Sequence, residues 1–122
     1  MRVVFFGTPE LAVPYLDAIC AAGHEVLAVV TQPDRPAGRG RRLRPSPVKQ
    51  AARQRGLRVL EPQKASDRQF IAGIRQLAPD LGVVVAYGQI LRPALLQTAS
   101  LGFVNVHYSL LPELRGAAPV YA

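Results

Sequence analysis

Asn105 and His107 stand two residues apart in the apolar run Phe103–His107, and no other residues in the sequence are better placed for chemistry. On a strand, residues i and i+2 share a face. The asparagine amide donates an N–H, and a histidine near neutral pH donates or accepts a proton. Two such donors side by side suit the negative oxygen that forms when a nucleophile attacks a carbonyl, so the chemistry on offer is acyl transfer. Taken alone the pair is ambiguous, because Asn105 could simply satisfy nearby backbone and His107 could be a core or turn histidine. Other reactive side chains offer less. Cys20 falls at helix spacing with Leu16 and Ile19 and reads as core, and His24, just past Gly23, reads as a surface turn residue. A single cysteine excludes an internal disulfide framework. With only two histidines beside it, too few soft ligands remain for a structural zinc site, so no metal is expected.

The elements that must position the pair are legible. Residues 3–7 (VVFFG) and 26–30 are short, continuously apolar and rich in β-favouring types, as strands buried on both faces are. Between them Thr8 is placed to cap a helix that starts at Pro9 and runs to about Ala22, with Gly23 as its terminator. Ser46-Pro47 repeats the cap-plus-proline start for a helix to Arg55. Leu57–Leu60 reads as a short strand, and Ser66 or Asp67 caps a helix to about Leu77. Leu81–Tyr87 is the strongest strand signal, followed by a short helix near Pro93–Gln97 and the strand that carries Asn105 and His107. Residues 117–122 (AAPVYA) read as the start of a further helix. Strands alternating with helices imply an α/β fold, a Rossmann-like doubly wound, mostly parallel sheet with right-handed crossovers. In such sheets ligands sit beyond the carboxyl ends of the strands, here Gly7-Thr8-Pro9, Tyr87-Gly88-Gln89 and Asn105-Val106-His107. A dinucleotide fingerprint is absent: the first turn supplies only Gly7, and Pro9 has no N–H to offer a pyrophosphate.

Composition and charge narrow the partners. With 49% hydrophobic and 19% charged residues the chain is globular rather than disordered. No apolar run reaches the roughly 18 residues of a membrane span, and MRVVFFGTPE is no signal peptide, so a cytoplasmic protein with no membrane partner is expected. The net charge of +7 is concentrated: nine of the fifteen basic residues lie between Arg35 and Arg58, with no acid among them. Pro33, Pro36, Gly38, Gly40, Pro45 and Pro47 forbid a helix or central strand over residues 32–47, which reads as a long, mobile basic loop. Such a segment suits a polyanion.

The run Asn105-Val106-His107-Tyr108-Ser109-Leu110-Leu111-Pro112 resembles the N-x-H-x-S-L-L-P signature of the folate-dependent formyltransferases. Phe6–Pro9, Thr31–Gly40, Pro45–Lys49, Val84–Gly88 and Arg115–Pro119 resemble the branch of that family acting on methionyl-tRNA. The resemblance implies 10-formyltetrahydrofolate as co-substrate, initiator methionyl-tRNA as acceptor, and an oxyanion held by Asn105 and His107. It places folate against Ser109, Leu110, Leu111 and Pro112, with Tyr87 and Gly88. It puts Arg39 at the position that recognises the acceptor end, with Arg41, Arg42 and Lys49 attracting phosphates. Tyr108 departs from the small residues common there, but an alternating strand turns it away from the catalytic face. Ser109 has no acid–base partner placed for it and is not read as a nucleophile. The resemblance also makes residues 1–122 the amino-terminal part of a catalytic domain, incomplete at its carboxyl end. The family's third catalytic group, an aspartate, would lie beyond residue 122, and so would a small carboxyl-terminal β-barrel. An inactive fragment of a monomeric enzyme is the expectation. The alternatives are a formyltransferase for a glycinamide nucleotide or amino sugar, and a non-catalytic RNA-binding module on a Rossmann-like fold.

Overall fold

The computed structural model describes residues 1–37, 42–107 and 119–121 of the chain. Continuously apolar strands need cover on both faces, and the structure supplies it. The first two, β1 (Arg2–Gly7) and β2 (Glu25–Val30), pair in parallel. The chain then leaves the sheet for an arm whose β3 (Arg35–Ala37) and β4 (Arg42–Arg44) pair antiparallel. It rejoins the sheet at β5 (Val59–Leu60), β6 (Leu81–Val85) and β7 (Phe103–Val106), all parallel to their neighbours. The order is β5-β2-β1-β6-β7, with β8 (Pro119–Tyr121) added antiparallel beside β7.

Alternation along β1 sends Phe5 to one face and Val4 and Phe6 to the other. On Phe5's side lie α1 (Val13–Ala21) and α2 (Pro47–Gln54), which contribute Leu16, Val48 and Ala52 to a fully buried cluster. Cys20 packs at the margin of that cluster, as its spacing implied. On the other side α3 (Arg68–Leu77) and α4 (Pro93–Leu96) bring Ile71, Ile74 and Leu95 against Val4, Phe6, Val84 and Phe103. Helices on both faces of a parallel sheet make this the doubly wound α/β architecture expected. Phe6 centres the second layer. Its ring meets Phe70, Tyr87 and Phe103 edge to face, with centroids 6.2, 5.2 and 5.6 Å away. Such pairs add about 0.5–1.5 kcal/mol each beyond buried area.

Most local signals hold. Ser46 caps α2 by accepting the Lys49 N–H at 3.0 Å, and Asp67 caps α3 by accepting that of Phe70 at 2.9 Å. Three expectations need correction. The helix expected from Pro9 begins instead as a 3-10 turn at Glu10–Ala12 and becomes α-helical only at Val13. Pro14 is the reason, since within a helix begun at Pro9 its ring would clash with the carbonyl of Glu10. Thr8 is therefore no cap, and its hydroxyl serves another element. The arm is not loop throughout, because residues 35–37 and 42–44 form a ribbon. Pro36 is tolerated there because a two-stranded ribbon is all edge. Residues 119–121 are strand rather than helix. Val120 and Tyr121 favour β structure, and the outer edge of β7 leaves backbone groups to pair.

Gly82 on β6 faces Phe103 on β7, and a Cβ there would run into the phenylalanine ring. Gly82→Ala is expected to lower stability by about 1–3 kcal/mol in denaturant titration, the usual range for overpacking. Adding Phe103→Leu should recover part of that loss if the clash is its cause.

Candidate active site

Positions along β7 alternate, so Phe103 and Asn105 share a face, and His107, the first residue past the strand, lines the same cleft as Asn105. Phe103 is buried under α3 and α4, while Asn105 and His107 extend past that cover and are exposed. Asn105 is paired in register with Val84 of β6. Directly after β6 the backbone turns sharply. Ala86 takes φ 52° and Gly88 φ 101°. Left-handed backbone at a residue with a Cβ costs about 1–3 kcal/mol, so Ala86 marks stored strain beside the site. The loop that results, residues 86–90, faces Asn105 and His107 across a cleft of about 560 Å³. That volume suits a ligand of cofactor size. Ile90, 88% exposed, adds apolar surface to its wall. Two polar donors, an apolar wall and a strained loop converge at the carboxyl end of the sheet.

What holds the loop in place is a polar hub centred on Gln32, the second residue after β2. It is 5% exposed. Its amide nitrogen donates to the Tyr87 carbonyl at 3.2 Å, and its Oε1 accepts from Gln89 at 3.1 Å and from Arg35 at 3.4 Å. The Thr8 hydroxyl donates to the same Tyr87 carbonyl at 2.9 Å, which explains why it caps no helix. Gln89 in turn accepts the Ala65 N–H at 2.7 Å and donates to the Gln63 carbonyl at 3.0 Å. Gly88 has a second reason to be glycine: a Cβ there would sit 2.9 Å from the Gln32 amide nitrogen. In the sequence Gln32 stands only within the Thr31–Gly40 resemblance and carries no role of its own, because the end of β2 is not among the three strand ends that point to a site. Its place immediately beyond an apolar strand was the available signal.

The other sequence-derived residues divide. Tyr87 lines the cleft, but its ring is 2% exposed and belongs to the core against Phe6. Among the described residues its hydroxyl has no hydrogen-bond partner. Burial pushes its pKa up to about 12. Lys49, expected to attract phosphates, is 7% exposed, and its ammonium lies 2.9 Å from Asp34 and 2.8 Å from Glu61. Hydrogen bonds to Glu61 first, then Asp34, raise its pKa above the ordinary lysine value despite desolvation. An ammonium enclosed by two carboxylates is already neutralised; it staples the base of the arm to α2 and to the segment after β5. Arg42 lies on β4. Ser109, Leu110, Leu111, Pro112, Arg39 and Arg41 fall outside the described residues, as does Tyr108. His24 sits at the opposite end of the sheet, 3.3 Å from the amino terminus.

Residues 1–122 match the Formyl transferase family. Over 121 residues the chain is 58% identical to a methionyl-tRNA formyltransferase of Streptomyces avermitilis, an alignment covering 98% of this chain and 39% of that protein. It is 60% identical over 119 residues to one of Halorhodospira halophila, covering 98% of this chain and 38% of the relative. The chain thus spans 38–39% of the length of these curated relatives. Among solved structures it is similar to the phosphoribosylglycinamide formyltransferase of Bacillus halodurans, with a TM-score of 0.65 at 20% identity over 95% of this chain and 60% of that one. That likeness shows the fold.

Two outcomes follow from the buried groups. Tyr87 and Lys49 both hold their protons more tightly folded than unfolded. The contribution of Tyr87 is therefore intact below about pH 10 and is lost as pH rises toward about 12, and that of Lys49 is intact below the ordinary lysine value and is lost as pH rises above it. Tyr87→Phe should leave stability at pH 7 unchanged or higher, since no hydrogen bond to a described residue is lost, and should flatten its decline between pH 10 and 12 by up to one proton's worth. Urea titrations across that range check both. Lys49→Met leaves two facing carboxylates unneutralised and is expected to lower Tm, with the loss shrinking in acid as those carboxylates protonate.

Proposed function

The chain belongs to the formyl transferase family, and we propose that the protein carrying it transfers the formyl group of 10-formyltetrahydrofolate to the α-amine of initiator methionyl-tRNA. The observation that carries this reading is the convergence of Asn105 and His107 on one wall of a cleft at the carboxyl end of the sheet. In the proposed reaction the amine nitrogen attacks the formyl carbon on N10 of the folate. The carbonyl oxygen becomes an oxyanion, which the Asn105 amide and a His107 ring N–H stabilise as donors. The C–N10 bond then breaks, N10 takes a proton, the attacking amine gives one up, and tetrahydrofolate leaves. The folate would lie against Gly88, the cleft face of Tyr87 and the segment Ser109, Leu110, Leu111 and Pro112. Arg39, Arg41 and Arg42 would attract the tRNA, and the arm carrying them is the feature a small-amine formyltransferase has least need of. The names of relatives at 58–60% identity favour the same acceptor. A monomer acting in the cytoplasm completes the proposal. Among the described residues no helix is long and apolar enough to cross a membrane.

A single well-placed oxyanion donor is worth about 2.7–4 kcal/mol of barrier. Asn105→Ala or His107→Ala in a full-length formyltransferase containing this chain is therefore expected to lower kcat roughly a hundredfold or more, with folate affinity much less affected. Steady-state formylation of methionyl-tRNA measures it, and near-native turnover in both variants would refute the assignment.

A further inference from the structure

The Tyr87 carbonyl receives two donors, although one would satisfy it. The Thr8 hydroxyl donates at 2.9 Å and the Gln32 amide at 3.2 Å. An oxygen that already accepts one bond does not explain why a second polar side chain is buried beside it. Gln32 is nevertheless buried, while Gly88 and Ile90, in the loop it holds, are exposed. A buried polar side chain thus anchors an exposed wall of the cleft.

The loop is tied inward at a second point. The Gln89 amide commits both of its N–H groups, to the Gln32 oxygen at 3.1 Å and to the Gln63 carbonyl at 3.0 Å, and its own oxygen accepts the Ala65 N–H. The two segments that receive it are themselves joined by Lys49, which bonds Asp34, two residues past Gln32, and Glu61, two residues before Gln63. Left-handed backbone at a residue with a Cβ persists only where its surroundings over-determine it. At Ala86 those surroundings are this set of bonds. A site is precise when the groups that meet a ligand are held by a second layer behind them.

We propose that Gln32 is a positioning residue for the formyl donor: through the Tyr87 carbonyl and the Gln89 amide it holds loop 86–90 at the spacing from Asn105 and His107 that a folate must bridge. This rests on the formyl-transfer reading of the cleft and deepens it. Gln32 touches no reacting atom. Released from it, the loop samples other spacings, and apparent affinity for the donor falls with the fraction of molecules that keep the competent one. Saturating folate restores that spacing, so turnover suffers less than affinity. The split is the reverse of that expected for Asn105→Ala, where turnover falls and folate affinity is much less affected.

The test uses a full-length formyltransferase containing this chain. Isothermal titration calorimetry gives the Kd for tetrahydrofolate, and formylation of methionyl-tRNA gives kcat and the KM for 10-formyltetrahydrofolate. Gln32→Met is expected to raise Kd and KM roughly tenfold while kcat stays within about threefold. Gln32→Glu keeps an acceptor for Gln89 but sets a carboxylate against the Tyr87 carbonyl, and should weaken folate binding at least as much. Gln89 is only half-buried, so Gln89→Met tests the same contact even where Gln32→Met does not fold. It should weaken folate binding alone, and by no more than about twofold further when added to Gln32→Met, since both changes release one loop. Leu16→Val, in the Phe5-side cluster that holds none of the hub residues, should lower Tm without moving the folate Kd. A native folate Kd in Gln32→Met, Gln32→Glu or Gln89→Met would overturn the positioning role. Fully additive losses in the double variant, or a folate Kd that follows Tm in Leu16→Val as well, would do the same. If the unaltered enzyme binds no tetrahydrofolate, the formyl-transfer reading falls and the positioning role with it. If it binds, and Asn105→Ala loses turnover while Gln32→Met behaves as native, only the positioning role falls.

Discussion

The carbonyl of Tyr87 is the acceptor on which the site's arrangement depends. It lies just beyond β6, where the strand's own ladder has ended, and it takes two donors, the Thr8 hydroxyl from the end of β1 and the Gln32 amide from the end of β2. A buried carbonyl left without a donor costs about 1–3 kcal/mol, so the ends of three adjacent strands are held to one point. Gln32 then uses its remaining oxygen on Gln89 and Arg35, one in the cleft loop and one in the arm. The same side chain thus sets the wall opposite Asn105 and His107 and the base of the basic ribbon. Gly88 admits it by having no Cβ to obstruct the amide.

The charges around this node follow a second constraint. A lysine brought under the surface must be paired, and breaking such a pair is far more damaging than its net stabilisation suggests. Lys49 meets that condition with Asp34 and Glu61, which flank the acid-free window on either side in sequence. The electrostatic character of the arm is therefore carried by its arginines. Their guanidiniums keep their charge on an exposed ribbon, where two opposed cations weaken pairing yet remain available to an anion. The opposed charges of this ribbon and the left-handed backbone of Ala86 beside the cleft both work against stability.

Much of this was legible in the chain itself. Continuous apolar runs marked β1, β2 and β6 because a strand covered on both faces needs no polar side, and Ser46 and Asp67 announced their helices because their hydroxyl and carboxylate cap the first turn locally. Strand spacing pointed to Asn105 and His107 as neighbours, and the two line one cleft although β7 ends at Val106. Local signals failed where a competing partner lay far off in sequence. Thr8 looked like a cap, but its hydroxyl found the Tyr87 carbonyl 79 residues away. Lys49 looked like one more cation in a basic run, because the two acids that claim it are separated from it by 15 and 12 residues and by the fold.

By itself, then, the sequence determined the layered α/β architecture, the strand that leads into the cleft, and the family. These depend on periodicity and on motifs read within a few residues. Only the tertiary structure decided which charges remain free, where the hydroxyl of Thr8 and the amide of Gln32 are used, and that the arm and the cleft share one hub. Those outcomes depend on which polar groups meet after burial. A buried donor or acceptor takes the partner that the packing of strands and helices puts within 3 Å or so, and sequence distance has no bearing on that choice.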